Sequence, residues 1–224
     1  MKSKRNSVPA MRLLYGMIAG LLLGISALAI YIIQDHFREP EPVDTGHFNV
    51  EGEAQFDGVI RIEPPIVVPN FALTNQDGYQ TSLRDLNGRH ALLTFGFTNC
   101  PDICPLTLSD FQQISELLGD QADQVEFVFI SVDGSRDSPA VLREYLRFRE
   151  LAGITALTGS EEKLREIGAP FGLSFEISGD TSTGAYSVNH TVGSFLIDSK
   201  GRWIMRFQFG VPADQIAAEL VKLL

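Results

Sequence analysis

Ala91-Leu92-Leu93-Thr94-Phe95-Gly96-Phe97-Thr98-Asn99-Cys100-Pro101-Asp102-Ile103-Cys104-Pro105 reads as an apolar strand that runs through a short polar loop into the mouth of a helix. Residues 91–97 carry no charge and are rich in Leu and Phe, as befits a strand buried inside a sheet. Beyond the loop, Leu108, Phe111, Ile114 and Leu117 recur at helical spacing. In open α/β sheets, ligands and chemistry gather just past the carboxyl end of a strand. Both cysteines of the chain, Cys100 and Cys104, lie there.

Outward from this junction the same alternation continues. Residues 125–132 and 193–197 are strand-like, and Asp198-Ser199-Lys200-Gly201 joins the latter to 203–207 as a hairpin turn. Val141, Leu142, Tyr145 and Leu146 form a helical stripe behind an Asp137-Ser138-Pro139 start, and a last helix spans 213–223. Strand and helix alternate first, and an antiparallel hairpin with a terminal helix follows. That order predicts an α/β fold: a mixed sheet with helices on both faces. Met205, in mid-strand among apolar neighbours, reads as core.

The N-terminal quarter has a different character. Lys2, Lys4, Arg5 and Arg12 precede an uncharged run over 13–33, long enough to cross a bilayer as one helix. The basic flank assigns 1–12 to the cytoplasm and everything after 33 to the far side. Ala27-Leu28-Ala29 also allows a cleaved signal peptide, but Ile30, Tyr31, Ile32 and Ile33 prolong the apolar run as a span requires. Residues 34–65 are polar, acidic and punctuated by Pro40, Pro42, Pro64 and Pro65, which predicts a tether. The folded domain is then 66–224, one core's worth of chain.

Either N-terminal reading exports the domain to an oxidising compartment such as the bacterial periplasm, anchored in the first case to the inner membrane. Of the 18 Lys and Arg, four precede the span, so 14 face all 28 Asp and Glu on the exported side. So acidic a surface keeps a domain soluble and excludes nucleic acid as a partner.

Cysteine spacing narrows the chemistry. A helix N-terminus lowers a thiol's pKa, and the thiolate is both nucleophile and metal ligand. Three residues separate the pair; on a regular helix their Cβ atoms would lie about 5–6 Å apart, wider than the ~3.5–4.5 Å of a disulfide. That separation suits a shared soft metal ion, whereas a disulfide needs Cys100 in the loop before the helix. A permanent staple across so short a loop would stabilise the fold little. His190, in Tyr186-Ser187-Val188-Asn189-His190-Thr191, lies ahead of the strand at 193; alone, such a histidine is usually a surface or core residue. His36, His47 and His90 are weaker candidates, the first two lying in the tether.

Taken together, Phe97-Thr98-Asn99-Cys100-Pro101-Asp102-Ile103-Cys104-Pro105, Ile130-Ser131-Val132-Asp133 with Arg136-Asp137, and Tyr186-Ser187-Val188-Asn189-His190-Thr191 resemble the Sco (SenC) family. These are thioredoxin-like, copper-binding cytochrome oxidase assembly proteins. The resemblance runs from about Phe71 to the C-terminus and shares the layout of an N-terminal anchor. It implies a thioredoxin-like fold and a copper site formed by Cys100, Cys104 and His190. Two thiolates favour Cu(I), and an added imidazole also admits Cu(II). The family usually has Asp where this chain has Asn189, and Pro where it has Gly134. Loss of a carboxylate that supported a ligand would change affinity by ~10–100-fold. Asp133 and Arg136 read most simply as an ion pair ordering the loop before Pro139, and Asp102 as a residue suited to a helix N-terminus.

Two functions follow from the resemblance. One is a metallochaperone that passes copper to the copper-centre subunit of a respiratory oxidase, exchanging it with other periplasmic copper carriers. The other is an enzyme, a thiol-disulfide reductase in which Cys100 and Cys104 are catalytic, acting on that subunit or other thiol-disulfide proteins while His190 tunes a thiol. The histidine favours the first, because thiol exchange does not require one. A peroxidase is weaker still, since no resolving cysteine exists beyond the pair.

Overall fold

A computed structural model describes residues 58–86, 88–181 and 184–224, together with residue 17. The chain divides into two compact units, Met1–Glu53 and Ala54–Leu224. The expected span at 13–33 lies outside the described residues except for Met17, which is helical, and the expected tether lies outside them up to residue 57. Among the described residues no helix is long and apolar enough to cross a membrane.

The second unit is built on an eight-stranded mixed sheet, in the order β1-β10-β9-β4-β5-β6-β2-β3. Its centre is β4 (His90–Gly96), β5 (Val125–Ser131) and β6 (Ile154–Thr158), which run parallel. From Ala91 onward every residue of β4 is buried, as expected of a strand covered on both faces. β9 (Ser194–Ile197) lies antiparallel to β4, and β10 (Arg202–Phe207) antiparallel to β9, joined by the expected turn. Along β10 burial alternates, with Trp203, Met205 and Phe207 pointing into the core. On the far flank β2 (Ala72–Asn75) and β3 (Gln80–Ser82) form a short hairpin whose turn is fixed by Asn75 Oδ1, which accepts from Asp77 N–H and Tyr79 N–H.

Four helices accompany the sheet: α1 (Ile103–Leu118), α2 (Pro139–Phe148), α3 (Glu161–Gly168) and α4 (Ala213–Val221). On α1 the buried stripe is Leu108, Phe111, Ile114 and Leu118, whereas Leu117 is exposed. A stripe must alternate steps of three and four to stay on one face of a 3.6-residue helix, and Leu118 supplies the step of four. Ser138 caps α2 by accepting from Val141 N–H, with Pro139 in the first turn. Beside β9, Phe95, Phe171, Phe195 and Trp203 pack with ring centroids 5.2–5.8 Å apart.

The folded region starts earlier than the sequence suggests. β1 (Val59–Val67) pairs with β10 along the edge of the sheet, so the tether's last residues belong to the domain. Pro64 and Pro65 sit in the irregularity between Arg61 and Ile66. Proline lacks the N–H a ladder needs and is tolerated at an edge strand's bulge, which is why these two read as linker. Also absent from the sequence reading are β2, β3, β6 and α3, and a separate two-stranded sheet, β7 (Phe175–Asp180) and β8 (Ala185–His190), with His190 as its last residue.

Candidate metal centre

Cys100 lies in the loop between β4 and α1, where its N–H donates to the Phe97 carbonyl at 3.2 Å. Cys104 is the second residue of α1, and its N–H points to Cys100 Sγ at 3.4 Å. Both thiols are free and buried. Room for Cys104 Sγ depends on Gly96, since a Cβ there would stand 2.8 Å from that sulfur and 2.6 Å from the Phe129 ring.

The structure brings His190 to this pair. Its Nε2 is 3.9 Å from Cys104 Sγ, and its ring meets Phe97 edge-on at 5.8 Å between centroids. Nδ1 is 2.9 Å from the Thr191 carbonyl, which can only accept, so Nδ1 carries the proton and the Nε2 lone pair faces the cysteines. With metal–S near 2.3 Å and metal–N near 2.0 Å, a trigonal ion separates S and N by about 3.7 Å, close to the distance seen. Among the described residues no three His, Cys, Asp or Glu side chains already converge on one point.

Electrostatics favour a neutral histidine and a protonated thiol in the absence of a cation. Burial lowers the His190 pKa, only partly offset by the bond to Thr191. Burial pushes the Cys104 thiol far up, with further upward contributions from Cys100 and Asp137. For Cys104 this corrects the expectation that a helix terminus lowers a thiol: desolvation outweighs the few N–H dipoles there. A bound cation reverses the balance by supplying the charge that burial removes.

The loop after β5 completes the surroundings. Asp137, 1% exposed, accepts from Thr98 N–H at 2.8 Å, Thr98 Oγ1 at 2.6 Å and Ser131 Oγ at 2.6 Å. Its carboxyl is raised by burial and drawn back by those bonds. Asp133, also 1% exposed, pairs with Arg136 as the sequence suggests, but additionally accepts from Tyr186 Oη at 2.5 Å. Thr98, Asp137 and Tyr186 lay within the motifs, yet nothing in their spacing announced these partners.

The remaining candidates separate cleanly. Asp102 precedes α1 but makes no side-chain cap. Asn189 is exposed and, one residue from His190 on a strand, points to the opposite face. Gly134 packs its Cα so close to Gly159 that a Cβ would lie 1.9 Å from that carbonyl oxygen. His90 is at the start of β4, the end opposite the cysteine loop, and His36 and His47 lie outside the described residues.

Comparison with known proteins matches residues 61–224 to the SCO1/SenC family model. The SCO2-like protein RP587 of Rickettsia prowazekii is 32% identical over 200 residues, covering 89% of this chain and 91% of the relative. Among solved structures, copper-bound ScoI of Bradyrhizobium japonicum superposes with a TM-score of 0.64 at 30% identity, over 70% of this chain and 99% of that one. BsSco, described as a Sco-family cytochrome c oxidase assembly protein with a disulfide switch, superposes with a TM-score of 0.59 at 25% identity, over 73% of this chain and 96% of that one.

Proposed function

Because this chain belongs to the SCO1/SenC family, with the thioredoxin-like fold of its solved members, we propose that it is a copper chaperone for a respiratory oxidase. Copper is its cargo, held by Cys100, Cys104 and His190 and handed to the copper-centre subunit. The observation that carries this reading is the approach of His190 Nε2 to Cys104 Sγ with Nδ1 already satisfied by a carbonyl. In the metal-free protein that lone pair can accept from the Cys104 thiol, and a soft cation that displaces the thiol proton finds sulfur and nitrogen already facing each other. Two soft sulfurs and one imidazole accept Cu(I) and tolerate Cu(II).

Membrane anchorage through 13–33 belongs to the same proposal and rests on the basic flank and the uncharged run that follows it. Thr94 pairs with Ser194, Ser194 with Phe207, and Phe207 with Val59. Val59, at the start of β1, therefore lies at the end of the sheet that carries the cysteine loop.

A strain lacking the protein should lose oxidase activity at limiting copper and regain it as copper is raised, because mass action then loads the acceptor without a carrier. Rescue by added thiol reductant, with no response to copper, would instead favour the reductase. That second reading has one specific support: Cys100 sits in the loop, where a disulfide with Cys104 is within reach.

A further inference from the structure

The ligand set proposed above is assembled from two parts of the chain that share no strand ladder. Cys100 and Cys104 follow β4 of the large sheet, whereas His190 ends the separate β7–β8 hairpin. The root of that hairpin is held by Arg165 of α3, which donates to the Phe175 carbonyl at 3.1 Å and covers the Phe175 ring at 4.1 Å. Phe175 and Val188 are buried in the core, and the His190 ring meets Phe97, so packing seats the hairpin's inner face.

The second attachment lies four residues before His190. Tyr186 Oη donates to Asp133, Arg136 Nη1 donates to the carbonyls of Tyr186 at 3.0 Å and Gly184 at 3.3 Å, and the guanidinium lies 3.7 Å over the Tyr186 ring. Four residues further along the same loop, Asp137 holds Thr98, two residues before Cys100, through both its N–H and its hydroxyl. The two residues are tied through their backbones by the bond from Asp137 N–H to the Asp133 carbonyl at 2.9 Å.

We infer that Asp133 and Asp137 are paired positioning residues: Asp137 sets the cysteine loop, Asp133 sets the hairpin, and the turn between them holds the two halves of the copper site in register. Neither touches a ligand atom. Both are buried carboxylates, which a fold retains only where every partner is in place. The turn thus converts an arrangement of three distant residues into one rigid measure, and this inference rests on the copper reading.

Full-length chain carrying Tyr186→Phe tests it, since the ring under Arg136 is kept and only the bond to Asp133 is lost. Expected are an affinity for Cu(II) about tenfold lower, a Cu(II) spectrum with weakened imidazole-nitrogen coupling, and faster amide exchange over 184–190 in the metal-free protein. Asp137→Asn should alter the sulfur-to-copper charge-transfer bands instead, because it loosens the cysteine side. Arg136→Lys keeps the ion pair but drops the carbonyl bonds, and stands in if Tyr186→Phe does not fold. Variants that lower the melting temperature yet show wild-type copper spectra and affinity would reduce the turn to a structural element and overturn the inference. Wild-type protein that binds no copper, or whose site ignores His190→Ala, would overturn the copper reading itself and the inference with it.

Discussion

Cys104 Sγ and His190 Nε2 stand 3.9 Å apart across 86 residues of sequence, while the other ring nitrogen of His190 donates to the carbonyl of the next residue. The imidazole is thus fixed in the tautomer that offers Nε2, and burial keeps it neutral. Burial of Cys104 has the opposite consequence for its proton, which stays on the sulfur until a cation arrives.

The sign of proton release follows. At pH 7 His190, its pKa lowered from the ordinary histidine value by burial, is neutral in the main and contributes little proton release when copper binds; Cys104, with its pKa raised, must release one proton. Calorimetry in buffers of differing ionisation enthalpy should therefore find His190→Ala releasing as many protons as wild type, and Cys104→Ser one fewer. A drop in proton release on His190→Ala would show that the metal-free imidazole is charged.

Asn189→Asp restores the residue usual in the family, and it should matter little here. The side chain is exposed on the face of β8 opposite His190, where a single screened charge is worth under about 1 kcal/mol. Copper affinity should change by less than about fivefold. A gain of tenfold or more would mean that this position supports a ligand after all.

Gly134→Ala probes the other departure. Its Cβ would be driven to 1.9 Å from the Gly159 carbonyl oxygen, a backbone atom that can yield only if the segment after β6 moves. Overpacking of this kind costs about 1–3 kcal/mol. Urea unfolding should show a lower midpoint; an unchanged midpoint would show that the two loops are not in fixed contact.

Anchorage makes its own prediction. The chain should stay with membranes until detergent is added, retain Lys2 to Arg12, and expose 58–224 to protease only from the outer face of the inner membrane. A mature protein beginning at Ile30 and released without detergent would contradict it.

Much of this site was legible from residues alone, and the limits have physical causes. The strand into the cysteine loop was plain because 91–97 is a buried central strand with an unbroken apolar run, and α1 because its stripe is amphipathic. β1 was hidden by Pro64 and Pro65, which an edge strand accepts in a bulge. β7 and β8 were hidden because a two-stranded, half-exposed hairpin has no continuous apolar face. The ion pair of Asp133 with Arg136 could be read from an i,i+3 spacing. Its bond to Tyr186, 53 residues away, could not, because only the fold of the hairpin brings them together.

Copper titration of the reduced full-length protein, followed for Cu(I) and Cu(II) in wild type, Cys100→Ser, Cys104→Ser and His190→Ala, tests the central claim most directly. Wild type should bind one copper per chain; either serine substitution should weaken both oxidation states strongly, and His190→Ala should leave a two-sulfur Cu(I) site while abolishing tight Cu(II) binding. Copper held equally well in both oxidation states after His190→Ala would contradict the account.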